Sequence, residues 1–211
     1  MEVKNEVKVN MDKFLLEEIL MLSVNGGLQT RGEKIYHEGK ISDLEKLNFR
    51  IEIKEFLINR IYDVNNVRSY EEEDVKDLIR ELKQLAEKNH KEILNNGKFR
   101  IGISQKIINL FLKYLWVLGK KEMPPYCPID GIIKQKILET NRKIDLENWT
   151  KIDSMDRLME YYNEIYKING KDRIAEWELK NYRLVIEKDK KSQILSSKQS
   201  LMENNTNPTA D

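Results

Sequence analysis

The stretch GISQKIINLFLKYLWVLG, residues 102–119, decides the fold. From Ile107 to Leu118 it is apolar almost all round, with Lys113 the only charge inside it. A helix apolar on every side belongs at the centre of a helical domain rather than on its surface. The run is also too short, and with its lysine too polar, for a bilayer span of about 20 residues. The reading is therefore a buried helix over Ser104–Leu118, closed by Gly119, with the rest of the chain wrapped round it.

The flanks supply the wrapping. Met11–Val24 reads as a first helix, with Phe14, Leu15, Ile19, Leu20 and Leu22 as its apolar set and Asn25-Gly26-Gly27 as its stop. A second helix is expected over about Glu52–Tyr62. A third starts at a Ser69–Glu72 capping box and carries Val75, Leu78, Ile79, Leu82, Leu85, Ala86 and Ile93 at helical spacing. After the central helix, the proline-rich KKEMPPYCP must be extended. Helices then follow over about Ile129–Leu138, Ser154–Ile168 and Asp172–Ile186. The polar sequence beyond Lys188 reads as a frayed tail. The expectation is an all-α fold, a single helical domain over residues 1–188 with a flexible tail over 189–211.

Composition narrows the chemistry. With 37 Lys+Arg against 36 Asp+Glu the net charge is +1, which excludes a globally polycationic chain. One cysteine excludes an intramolecular disulfide framework, and with 2 histidines no metal site is expected. No cofactor motif is present. The charged N-terminus has no apolar signal core, so no membrane partner and a cytoplasmic location are expected. Charge is uneven, however. Lys98, Arg100, Lys106, Lys113, Lys120 and Lys121 follow one another with no intervening acid. Such a strip is either a solvated face or a surface for a polyanion.

One constellation can carry chemistry. Gly102-Ile103-Ser104-Gln105-Lys106 opens the central helix, and Pro128-Ile129-Asp130 opens the next. A turn entering a helix leaves backbone N–H groups free to hold a phosphate, which marks Gly102 and Ser104 as candidate phosphate contacts. In the first turn the helix dipole disfavours a lysine ammonium, and apolar neighbours do the same by desolvation. Lys106 is thereby a candidate nucleophile, for which a neutral amine is required. Asp130 is a candidate partner that takes a proton or faces a developing cation.

These residues resemble the helix-hairpin-helix DNA glycosylase superfamily, in particular its 8-oxoguanine DNA glycosylase branch. That branch combines a hairpin ending in Gly-x-x-x-Lys, a buried helix and a Pro-[Val/Ile]-Asp motif. Here the matching residues are Gly102, Lys106, Pro128, Ile129 and Asp130, and the likeness covers residues 70–140 best. The resemblance implies a DNA N-glycosylase and abasic-site lyase acting on duplex DNA with a flipped base. Lys106 would attack C1′ and Asp130 would assist. Two departures stand out. Phe99-Arg100-Ile101-Gly102 lacks the proline and first glycine of the family hairpin, and the lysine–aspartate gap is longer. Compact proteins of this type also occur in bacterial antiphage operons, where the substrate can be a non-standard guanine.

Plainer readings stand beside these. Lys106 also reads as a surface lysine, Asp130 as a helix cap and Cys127 as a core filler. Trp116 reads as core, and Trp149 and Trp177 as packing residues or as stacking partners for a flipped base. Arg31 and His37 have the Arg-x5-His spacing of HEPN-type ribonucleases. A nucleic-acid-binding module without catalysis would keep the basic strip and need neither Lys106 nor Asp130.

Overall fold

In a computed structural model, residues 2–30, 32–62, 69–170 and 173–182 are described, with side chains from residue 10 onward. The described residues are all helical in class: α1 (Glu2–Leu28), α2 (Asp43–Arg60), α3 (Glu72–Asn89), α4 (Ile101–Val117), α5 (Gly131–Thr140), α6 (Met155–Asn169) and α7 (residues 174–182). Among them there is no strand, only a single bridge between Tyr36 and Leu94. No described helix is long and apolar enough to cross a membrane. The expected tail, residues 189–211, lies outside the described residues, as does the end of the last expected helix.

The central helix is as central as its composition requires. Ile103, Ile107, Ile108, Phe111, Leu112 and Leu115 are all buried in one core cluster that draws on every helix. The helix starts at Ile101, three residues before the expected Ser104, so Lys106 sits in its second turn rather than its first. The dipole acts mainly within the first turn. Gly119, in the left-handed region at φ 67°, closes the helix as expected.

α1 departs from expectation. Asn25-Gly26-Gly27 does not stop it; the helix runs on to Leu28. The two glycines serve the packing of α1 on α4. A Cβ on Gly27 would lie 2.2 Å from Ile107 Cγ1, and one on Gly26 would lie 2.5 Å from Leu110 Cδ1. This close approach sets the rotation of α1. Ile19, Leu20, Val24 and Leu28 turn inward, while Phe14, Leu15 and Leu22 from the expected apolar set stay exposed.

α2 begins nine positions before expectation, at a capping box that the apolar pattern hides. Ser42 Oγ accepts from Glu45 N–H at 3.1 Å, and the Glu45 carboxylate accepts from Ser42 N–H at 2.8 Å. At α3 the box is displaced from Ser69–Glu72. The helix starts at Glu72, and Asp74 accepts from Glu71 N–H at 3.0 Å. The connection over residues 121–130 is irregular, as its prolines demand. α6 is capped by Ser154, whose hydroxyl accepts from Arg157 N–H.

Candidate active site

Asp130 is the N-cap of α5. Its Oδ1 accepts from Ile132 N–H at 2.9 Å and Ile133 N–H at 3.1 Å. These bonds use one carboxylate oxygen and fix the plane of the group. The other oxygen, Oδ2, lies 3.6 Å from Lys106 Nζ on α4. Two residues far apart in sequence thus meet, with side chains only 14% and 19% exposed. The capping role and the pairing role of Asp130 are compatible, one oxygen serving each.

The surroundings tune the amine. Burial holds the Lys106 pKa below the 10.5 usual for lysine; the Asp130 carboxylate opposes this, and the nearby Lys113 ammonium adds to it. Desolvation is the larger effect, so the neutral amine is more accessible than in a surface lysine. The Trp149 ring centroid lies 4.3 Å from Nζ, which favours the cation and holds the side chain in place.

Lys106 and Asp130 border a cleft of about 320 Å³. That is at the small end of ligand sites, about 300–1,000 Å³. Its walls include Leu22 and Gly26 of α1, Leu110 and Tyr114 of α4, and Tyr182 of α7. A second ion pair lies in the same wall: Lys113 Nζ donates to both Glu178 oxygens, at 3.0 and 3.1 Å. Burial raises the Glu178 pKa, and Lys113 counters it. A buried ion pair stabilises little compared with apolar packing.

Gly102 and Ser104 are placed otherwise than expected. Gly102 N–H donates to Ile152 O at 2.9 Å, and a Cβ there would lie 1.7 Å from the Trp149 carbonyl oxygen. Its role is to let the Trp149–Lys151 turn lie on α4. Ser104 is fully buried, its hydroxyl turned back towards Arg100 O at 3.4 Å. Neither is open to a phosphate.

The basic strip is also not a free cationic face. Lys98 lies 3.5 Å from Asp153, Arg100 3.6 Å from Glu33 and Lys120 3.0 Å from Asp12. Lys106 and Lys113 have the carboxylates already named, and Lys121 is buried. The acids that pair with the strip come from elsewhere in the chain, so a linear charge count cannot find them.

Cys127 is fully buried, and burial pushes its thiol pKa well up, which makes it inert. Trp177 is buried in the core, while Trp116 is half-buried beside Met123, Arg173 and Leu179 rather than enclosed. His37 lies in the non-helical connection after α1, where its Nδ1 accepts from Gly39 N–H at 2.7 Å. Arg31 lies outside the described residues.

Comparison of the chain with protein-family models, curated proteins and solved structures finds no match.

Proposed function

We propose that the chain is a DNA N-glycosylase with abasic-site lyase activity on a modified purine such as 8-oxoguanine, with Lys106 as nucleophile and Asp130 as its partner. The observation that carries this reading is the meeting of a desolvated lysine and a helix-capping carboxylate, 3.6 Å apart, at the edge of a cleft. A lysine serving solubility needs neither the burial nor the partner.

The steps follow from the residues present. The neutral Lys106 amine attacks C1′ as the C1′–N bond breaks, and the base leaves with the bonding electron pair and takes a proton from water. The new C1′–NH₂⁺ group gives one proton to Asp130. The C1′–O4′ bond then opens to a protonated Schiff base as Asp130 returns that proton to O4′. Loss of a C2′ proton expels the 3′ phosphate by β-elimination. Extruding the base costs about a few kcal/mol. The sequestering of the site strengthens the Lys106–Asp130 interaction over its value in water.

The test is borohydride trapping on duplexes carrying 8-oxoguanine, an abasic site or unmodified guanine, with Lys106→Gln beside the wild type and both shown folded by circular dichroism. A covalent adduct that vanishes in Lys106→Gln is expected. An adduct retained by Lys106→Gln, or none with the wild type, overturns the reading.

The neutralised basic strip favours a second reading, an enzyme on a modified guanine nucleoside or nucleotide outside duplex DNA, as in an antiphage pathway. It needs the same lysine and aspartate but little affinity for duplex. Release of base from a free nucleoside, without trapping on any duplex, would select it. A non-catalytic binding module would leave function intact in Lys106→Gln.

A further inference from the structure

The side chain next to Lys106 is fully buried, polar and occupied at both ends. Gln105 Nε2 donates to Ile129 O at 2.8 Å and to Gly102 O at 3.0 Å. Its Oε1 accepts from Ile129 N–H at 3.1 Å. The amide thus pairs with both backbone groups of Ile129, as a neighbouring strand would. Ile129 immediately precedes Asp130, and Gln105 immediately precedes Lys106. One residue therefore ties the backbone beside the lysine to the backbone beside the carboxylate. A further layer fixes the amide. Asn109, one turn along α4, donates from Nδ2 to Gln105 Oε1 at 3.3 Å and to the Tyr162 hydroxyl at 3.0 Å. The Tyr162 hydroxyl donates to Cys127 O at 2.9 Å, on the same extended loop.

We infer that Gln105 is a positioning residue: its paired hydrogen bonds to Ile129 set the distance between Lys106 and Asp130, and Asn109 with Tyr162 holds Gln105 in register. No regular secondary structure links α4 to the residue 126–130 segment, so the side-chain amide does what a ladder does elsewhere. Proline-rich chain before Asp130 has few N–H groups of its own for this. The inference rests on the reading of Lys106 and Asp130 as a working pair.

The test uses Gln105→Met, which keeps the length and adds no charge. Single-turnover trapping on an abasic duplex is expected to slow about 30–100-fold, as misplacement by about an ångström does, with the half-saturating duplex concentration nearly unchanged. In an Asp130→Asn background the same substitution should cost less than about threefold, because the pair is already broken. A second readout needs no turnover. Competitive acetylation of Lys106 against pH, read by mass spectrometry, reports its pKa. Asp130 holds that pKa up, so Gln105→Met should lower it in the direction of Asp130→Asn. Should Gln105→Met not fold, Asn109→Leu takes its place, with a smaller effect of the same sign. Equal costs in both backgrounds, or an unmoved Lys106 pKa, overturn the inference. A wild type that traps nothing while the pKa moves as stated overturns the proposed activity and leaves the positioning role standing.

Discussion

Lys106 is held under two opposed demands. Its ammonium is desolvated by α4 and the cleft wall, and that burial lowers its pKa; the Asp130 carboxylate, 3.6 Å away, raises it. Desolvation prevails, so the folded chain binds the proton less tightly than the unfolded chain does. Between the folded-state pKa and 10.5 the unfolded state carries more protons, and stability rises with pH through that window. Below it the burial penalty is at its full value. Lys106→Met is therefore expected to be neutral or stabilising at pH 7, within about 1 kcal/mol, while abolishing trapping, the pattern of a residue kept for function. Urea melts of the variant check the first half. The trapping rate of the wild type should climb with pH from neutrality and level off before 10.5; a profile still rising there would contradict the lowered pKa. Asp130 was legible twice over, as a cap and as a partner. Gln105 was not. Nothing in its neighbours Ser104 and Lys106 sets it apart, and the bonds that matter reach 24 residues ahead.

At the scale of elements, periodicity located most helices and misplaced their ends. The pattern of apolar residues records which face is buried, whereas a helix end is decided by hydrogen bonds to one or two polar side chains. Ser42 and Glu45 start α2 well before its first buried residue, Phe49, so no apolar signal announces it. Asn25-Gly26-Gly27 reads as a stop because glycine lowers helix propensity by about 1 kcal/mol. Here the absence of a side chain is worth more, since Ile107 and Leu110 occupy the space. Two substitutions follow. Gly27→Ala meets the side chain of Ile107, at 2.2 Å from Cγ1, and should cost about 1–3 kcal/mol as overpacking. Gly102→Ala meets the Trp149 carbonyl of the backbone, which cannot turn aside, and should cost more than Gly27→Ala. Thermal and urea denaturation rank the two; the reverse order would mean that the Trp149–Lys151 turn does not rest on Gly102. The same turn brings the Trp149 ring to Lys106, so Gly102→Ala should also slow trapping.

For the molecule as a whole, the balance of charge seen in the composition is repeated locally. Lys98, Arg100, Lys106, Lys113 and Lys120 each have a carboxylate within reach, so this strip is partly neutralised for displacing counterions from a duplex. The slope of log affinity against log salt is about −0.9 per phosphate contact. Duplex binding by this chain is expected to show a slope no steeper than about −3, measured by fluorescence anisotropy across a salt series. A steep slope would point to a cationic face other than the strip.

The fit of α1 against α4 has a consequence for how the chain acquires its shape. The two helices that pack together at Gly27 and Ile107 are separated by roughly eighty residues of sequence, a long loop to close. During synthesis α1 emerges well before its partner exists, with Ile19, Leu20 and Val24 still uncovered. The nascent chain thus passes through a stage in which its first helix is a sticky segment, apolar on more than one face and awaiting α4, the stage at which aggregation competes with folding.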